Sequence, residues 1–241
     1  MRTRLLCVAI FLSASPVLGA ATLVQSKCYQ GSGSEDSHTL TFDNATTSGN
    51  LIVVFAATSG EALGVSATTD TETNSWTQAA LSAGANSETA IYYTTTNLMG
   101  ASHAITVNPS GTSVYIDQII TEWSGITLSS ADAQNIGAGV GTAVSGSITP
   151  TVRALIVGGM EHENGTVAIT ETETLICEDQ DGADYPYSVS WKIVDAGATT
   201  MAWTIGASTQ WRASVAAFVE TAGGGGAGPS TGRRVISVIG N

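Results

Sequence analysis

The chain has 241 residues with eight basic and twenty acidic side chains, a formal net charge of −12. So acidic a surface repels nucleic acid and anionic lipid, which excludes both as partners. Charged residues make up only 12% of the chain, and its abundance of Thr, Ser, Gly and Ala is typical of exported β-proteins rather than of helical bundles.

The N terminus has the pattern of a secretory signal peptide. Arg2 and Arg4 precede the apolar run 5–12, and small residues follow up to position 20. The run is too short for a membrane anchor, so we expect residues 1–20 to be removed on export. Removal leaves six basic and twenty acidic residues, a net charge of −14. The protein is therefore expected to be secreted or displayed on the cell surface.

Two continuous apolar runs organise the mature chain. The first covers 51–57 after a Gly-Asn turn, and the second covers 154–159 after Pro150. Each has the length and the β-branched composition of a buried strand, and each is too short to span a membrane. Similar strand-like segments follow each run in the same order.

The spacing of these segments indicates an internal repeat. Tyr93 and Trp191 are 98 positions apart, and so are Ile105 and Trp203. A constant spacing over two strands and the turn between them predicts two related halves, about 21–125 and 126–221. Two copies with unequal loops pair most naturally into one all-β domain, 21–221, that forms a two-layer, antiparallel, jelly-roll-like β-sandwich. Two independent sandwiches of about 100 residues each are the alternative.

The C-terminal segment differs from the domain before it. Residues 222–232 form a Gly-rich linker that cannot pack a core, and 233–241 form a short β-branched tail. Three fates are open for the tail: disorder, return to an edge of its own sandwich, or strand addition to another molecule. We favour strand addition, which allows self-association through the tail.

Two cysteines remain after removal of the signal peptide. Cys28 lies near the start of the first half and Cys177 in the second half. An even pair in an oxidising compartment favours a disulfide, with two buried thiols as the alternative.

Aromatic side chains are candidates for a glycan-stacking surface. Four of them are expected at loops or strand ends, where a ring can contact a sugar: Trp76, Trp211, Tyr185 and Tyr187. The alternative role for each is that of a loop anchor packed on the sandwich edge. Trp191 and Trp203 have inward parity and are expected in the core.

An acidic loop is the candidate metal site. Asp179, Asp181 and Asp184 surround a Gly turn and offer the hard oxygen ligands that Ca²⁺ requires. The loop lacks the remaining positions of an EF-hand, and a solvated hairpin is the alternative. No other cofactor is predicted.

Five segments together resemble a poorly characterised β-sandwich module of bacterial secreted proteins and phage structural proteins. They are 22–26, 48–54, 70–77, 90–93 and 121–125. The resemblance covers nearly all of the mature chain up to Glu220, and it implies a jelly-roll-like sandwich with presentation or binding roles and no catalytic residues. The family commonly has Asp-x-x-Gly-Asn in the turn before its aromatic residue, whereas this chain has Thr73 at the Gly position.

The sequence therefore predicts a secreted, non-enzymatic binding or adhesion module of the extracellular surface, with a glycan or a cell-surface component as partner. A phage or virus-like structural subunit is one alternative. A secreted polysaccharide hydrolase is the other, with two acidic residues across the sandwich as acid and base.

Overall fold

The computed structural model describes residues 20–31, 33–59, 68–84, 87–95, 102–111, 115–127, 131–163, 168–179 and 185–221. Fourteen strands and no helix occur in these ranges. The first eight are β1 (Thr22–Tyr29), β2 (His38–Thr41), β3 (Leu51–Ser59), β4 (Thr68–Asp70), β5 (Thr77–Ser82), β6 (Ser87–Thr95), β7 (Ala104–Val107) and β8 (Tyr115–Ser124). The others are β9 (Ala133–Ile148), β10 (Ala154–His162), β11 (Ile169–Glu171), β12 (Thr174–Asp179), β13 (Tyr187–Val194) and β14 (Thr199–Val219). The predicted all-β fold is confirmed.

The strands form two large antiparallel sheets and one small sheet. The first large sheet has the order β1-β8-β3-β6-β5. The second has the order β11-β14-β10-β13-β12, with β9 also paired to β14. The small sheet, β2-β7-β4, belongs to the first half of the chain. The predicted signal peptide, linker and tail lie outside the described residues, apart from Ala20.

The two apolar runs are the central strands β3 and β10. Both are buried along their whole length. Alternate residues of β3 enter two different apolar clusters: Val53 and Phe55 face the second large sheet, whereas Ile52 and Val54 face the small sheet. A strand buried on both faces needs apolar residues at every position, which explains the continuous runs.

The two halves have the same topology. Leu51 on β3 pairs with Thr95 and Trp123 on the two neighbouring strands. Leu155 on β10 pairs with Ile193 and Phe218 in the same way. In the second half, the long strand β14 occupies the positions of both β7 and β8. The long strand β9 occupies the positions of β1 and β2. The sandwich is therefore built from two related halves.

An approximate two-fold axis relates the halves across the core between the large sheets. Tyr93 contacts Phe218 with ring centroids 5.2 Å apart and an interplanar angle of 65°. The equivalent residues, Trp191 and Trp123, contact each other at 5.1 Å and 67°. On the axis, Phe55 of β3 lies against Gly159 of β10, where a β-carbon would come within 2.4 Å of the phenyl ring. Only glycine allows the two central strands to approach this closely.

A covering layer on the outer face of each large sheet was not predicted. The small sheet covers the first, and the N-terminal part of β14 with β11 and part of β9 covers the second through an apolar cluster that includes Ile156, Trp203 and Val215. The layer on the second sheet arises because β9 and β14 are long enough to bend over their own sheet.

The turn between β4 and β5 departs from the usual conformation at Thr73. Its φ is 56°, in the left-handed region, which costs a residue with a β-carbon roughly 1–2 kcal/mol. This is the position at which the resembled family commonly has glycine. We expect Thr73→Gly to raise the free energy of unfolding by about 1 kcal/mol in denaturant titration. The comparison variant Thr71→Gly changes a position without positive φ and also removes the hydrogen bond that Thr71 Oγ1 accepts from Ala104 N, so it should lower stability. A loss of stability in Thr73→Gly would contradict the account of this turn.

Candidate functional site

The apolar core between the large sheets stops before the strands do. Along the inward positions of β10, Leu155 and Val157 belong to the core, Gly159 contacts Phe55, and the next inward residue is Glu161. On β8, the inward residue that follows Trp123, Thr121 and Ile119 towards this end is Asp117. Both carboxyl side chains are buried, Glu161 completely. Acidic groups therefore replace apolar side chains at one end of the inter-sheet space.

Arg212 completes this layer from the second sheet. It pairs with Glu161 across β14 and β10 and occupies the position in the second half that Asp117 occupies in the first, since Asp117 pairs with Ala57 on β3. Its guanidinium reaches the first sheet at Gly84, where a β-carbon would lie 2.2 Å from Nη2. The lack of a side chain at Gly84 gives the guanidinium its space.

The next layer outward is also polar. Ser59 pairs with Ser87 and Tyr115 on the first sheet. Tyr115 contacts Tyr185, which lies just before β13, with ring centroids 6.3 Å apart, and both rings are half-buried. We call this region the polar end, and it comprises Ser59, Ser87, Tyr115, Asp117, Glu161, Glu163, Tyr185 and Arg212.

Several buried polar atoms of the polar end have no hydrogen-bond partner among the described residues. They are Ser59 Oγ, Ser87 Oγ, both carboxyl oxygens of Glu161, Glu163 Oε1 and Arg212 Nε. An unsatisfied buried polar group costs about 1–3 kcal/mol, so proteins rarely collect such groups in one place without a use for them. The set contains acceptors, a cationic donor and hydroxyls that do both.

The electrostatics of the polar end favour the protonated form of Glu161. Burial raises the pKa of Glu161 well above its usual range, and the nearby Asp117 and Glu163 raise it further, while Arg212 lowers it. A protonated carboxyl group can donate one hydrogen bond and accept others. Glu161 can therefore present a neutral donor and acceptor inside the protein at a pH where exposed carboxyls are ionised.

This shift predicts a pH dependence of stability. Between the usual carboxyl pKa and the raised pKa, the folded protein holds a proton that the unfolded chain has released, so stability falls as pH rises through this window. The contribution of one group is at most about 1.4 kcal/mol per pH unit. Glu161→Gln removes this pH-dependent contribution. The variant should be about as stable as wild type at pH 4 and more stable than wild type at pH 7. Thermal unfolding at both pH values tests this, with Asp43→Asn, whose side chain is 70% exposed, as the control. Equal differences between wild type and Glu161→Gln at both pH values would contradict the assignment.

No family model, curated protein or solved structure matches this chain. The fold is compatible with the β-sandwich that the resemblance implies, and membership of that particular module stays a prediction. The function of this protein must therefore be argued from its own residues.

Two of the four predicted stacking residues are in the interior. Trp211 is 9% exposed and Tyr187 is 2% exposed. Trp211 lies in the middle of β14, where it packs beside Gly139, and a β-carbon there would be 2.9 Å from the indole ring. Trp211 is therefore not at a strand end, and we expect Trp211→Ala to lower stability, because removal of this ring leaves a cavity in the outer layer. Tyr185, which is half-buried at the polar end, is the predicted stacking residue that faces the candidate site.

Trp76 anchors the turn between β4 and β5. Its indole nitrogen donates a hydrogen bond to Asp70 Oδ2 at 3.1 Å, and the ring packs against the core beneath the small sheet. Asp70 Oδ2 also lies 3.1 Å from His103 Nε2, and Thr46 Oγ1 lies 3.1 Å from His103 Nδ1. This row of three side chains has the connectivity of a catalytic triad, but Thr46 is 2% exposed and His103 fully buried. Its role is to hold the turn.

Cys28 and Cys177 are joined by a disulfide, with their Cα atoms 6.5 Å apart. The bond links edge strand β1 of the first sheet to edge strand β12 of the second. It closes one lateral side of the sandwich covalently.

The predicted calcium loop lies largely outside the described residues. Asp181 and Asp184 are not described, and only the backbone of Asp179 is, at the end of β12. Within the described ranges, no group of three or more His, Cys, Asp or Glu side chains is placed to hold a metal ion. The same ranges contain no helix long and apolar enough to cross a membrane.

Sequence reasoning missed the residues of the polar end other than Tyr185. Parity was a usable signal, since Asp117 and Glu161 occupy inward positions of strands whose other inward residues are mostly apolar. An ionisable residue on the apolar parity of a central strand is the pattern that would have found the site.

Proposed function

We propose that this protein is a secreted, non-enzymatic binding module of the extracellular surface that holds a glycan at the polar end of its sandwich. The cluster of buried, unpartnered polar atoms beside the Tyr115–Tyr185 pair supports this proposal most directly. The predicted signal peptide supports an extracellular location.

The chemistry of the polar end favours a neutral saccharide. Sugar hydroxyls donate and accept hydrogen bonds, which matches a set made of carboxyl, guanidinium and hydroxyl groups. An anionic ligand would meet Asp117 and Glu163 close to the single cation Arg212 and would be disfavoured. The half-buried tyrosine rings offer apolar faces to the sugar ring and polar tips to water. A ligand bound here would contact the tyrosines first and the buried carboxyl groups beneath them.

A glycan-array and cell-surface binding screen with purified mature protein, run with and without Ca²⁺, tests the proposal. We expect binding to neutral glycans that does not depend on Ca²⁺, because the polar end contains the groups needed for recognition. Binding only in the presence of Ca²⁺ would indicate that the ligand binds at the acidic loop around Asp181 and not at the polar end. If no glycan or cell is bound in either condition, the role of a structural subunit of a phage or virus-like particle replaces this proposal.

A hydrolase is the second candidate, and one observation favours it. Asp117 and Glu161 lie on opposite sheets close enough to interact electrostatically, and the pKa of Glu161 is raised. Glycosidases use such a pair, with the high-pKa carboxyl as general acid and the other carboxyl as base or nucleophile. Turnover of a broad glycan panel, abolished in both Glu161→Gln and Asp117→Asn, would establish the hydrolase and overturn the non-enzymatic proposal.

A further inference from the structure

The two lateral sides of the sandwich are closed differently. On one side, the disulfide joins Cys28 of β1 to Cys177 of β12. Cys28 pairs with Ile119 on β8, and the equivalent pairing in the second half joins Ser214 to Ile136 on β9. Cys177 pairs with Val189, and its equivalent, Ala80 on β5, pairs with Ile91. The approximate two-fold axis thus places Ile136 and Ala80 where the other side has the disulfide.

A groove lies at this second side. It has a volume of about 390 Å³ and is lined by Gln78, Ala79, Ala80 and Leu81 of β5 and by Gln134, Asn135 and Ile136 of β9. One hydrogen bond, from Ser82 Oγ to Gly137 O at 2.8 Å, joins the two strands beside the groove. The groove is therefore open where its symmetry mate is covalently closed.

The strand that forms one wall of the groove has an unprotected edge. β9 pairs with β14, and no other described strand pairs with it. Its sixteen residues include no charged side chain, and Ile136 and Val140 are 54% and 72% exposed. Proteins usually protect such an edge with charges, proline or a covering segment, because it can accept another strand. An occupant that supplies a short, apolar, extended segment fits this edge.

The C-terminal tail has the composition of such a segment. Val235, Ile236, Val238 and Ile239 make residues 233–241 β-branched and apolar. The described chain ends at Thr221, whose amide donates to Gly125 O at 2.7 Å. Thr221 follows Ala217 by four positions, and Ala217 pairs with Ala133 at the start of β9. The last described residue therefore lies beyond the N-terminal end of β9. A segment that ran from there along β9 would pass Ile136 first and Val140 next.

The linker has the right length for docking within one molecule. Gln134 on β9 pairs with Ala216, which is five residues before Thr221. Thr221 therefore lies about 17 Å along the strand direction from the level of Gln134, at roughly 3.3 Å per residue. A Gly-rich segment of the length of 222–232 has an expected r.m.s. span of about 17–21 Å up to residue 233. A tail running parallel to β9 from that level covers Ile136 and Val140. A tail running antiparallel to β9 would have to begin near the far end of this edge. Residues 222–232 would then have to span about 40 Å, which is almost their fully extended length.

We propose that residues 233–241 add to the free edge of β9, parallel to it and within the same molecule. This contact would lie on the side of the sandwich that lacks the disulfide. This proposal is independent of glycan binding at the polar end.

Cysteine cross-linking tests the contact. Ile136→Cys is combined in turn with Ile236→Cys, Ser237→Cys and Val238→Cys in the full chain, which is oxidised and analysed by non-reducing mass spectrometry. A docked strand gives intramolecular cross-links whose yield alternates, with 236 and 238 alike and 237 different. Val24→Cys, on the edge strand of the opposite side and 48% exposed, is the control and should form no cross-link with the tail. Equal yields at all three tail positions, intermolecular products, or no cross-link would each overturn the proposal.

Amide hydrogen exchange tests the same contact without new cysteines. Deletion of 233–241 should speed exchange in peptides covering 134–140 by about tenfold or more, because docking protects the free edge amides. Peptides from β1 should be unchanged, and light scattering should give a monomer for both chains. Unchanged exchange in β9, or a shift from oligomer to monomer on deletion, would overturn docking within one molecule.

Discussion

Trp203→Ala is expected to lower the free energy of unfolding by about 3–5 kcal/mol, the range for removing a large buried aromatic side chain. Trp203 is 2% exposed and belongs to the apolar cluster between the second large sheet and its covering layer. Its indole packs over Gly158 on β10, where a β-carbon would be 3.1 Å from the ring. The cavity left by alanine would separate the covering part of β14 from the central strand.

Urea titration of wild type and Trp203→Ala measures this effect, with Val140→Ala as the control. Val140 is 72% exposed on β9, so its truncation should change stability by no more than about 0.5 kcal/mol. Equal midpoints for wild type and Trp203→Ala would show that β14 does not pack over the second sheet as described.

Loss of the disulfide is expected to cost about 2–5 kcal/mol. The bond spans 149 positions in sequence, and cross-links that close long loops restrict the unfolded chain most. It also ties together two edge strands from opposite sheets. Replacement of both Cys28 and Cys177 by serine avoids new pairings, and denaturant titration then compares the variant with the oxidised wild type.

The matched control for the disulfide is the oxidised wild type after treatment with a reductant, measured under the same conditions. Reduced wild type and the double serine variant should lose similar amounts of stability. Identical midpoints for the oxidised wild type and the double variant would contradict a bond that constrains the unfolded chain.

Much of the fold could be predicted because the central strands have an unusually clear signal. The continuous apolar runs of β3 and β10 identified the centre of each half, and the constant spacing from Tyr93 to Trp191 identified the repeat. The predicted burial of Trp203 also proved correct, although its ring lies beneath the outer covering layer. These features depend on local pattern alone, which a sequence displays directly.

The covering layer and the position of Trp211 could not be predicted for a specific physical reason. In the first half, β7 and β8 are separate strands, whereas in the second half a single strand, β14, bends and performs both roles. Sequence pattern does not show that the chain continues through the bend, so Trp211 was expected at an exposed strand end and lies instead in a buried strand. Tyr187 was misplaced similarly, since it belongs to the apolar cluster between the two large sheets.

The polar end was missed because it is formed by residues distant in sequence. Asp117, Glu161 and Arg212 come together only when the two large sheets face each other, and each alone resembles an ordinary polar residue near a strand end. Tyr185 was identified from its chemistry, without any indication that Tyr115 lies beside it.

Calorimetric titration of a glycan identified by the array against a set of variants tests the central claim most directly. Asp117→Asn and Tyr185→Ala change the polar end, and Asp43→Asn changes an exposed carboxylate elsewhere. The account predicts that each polar-end variant weakens binding by about tenfold or more, equivalent to about 1.4 kcal/mol, while circular dichroism shows an unchanged fold and Asp43→Asn binds as wild type does. Wild-type affinity in both polar-end variants would contradict the assignment of the ligand site to the polar end.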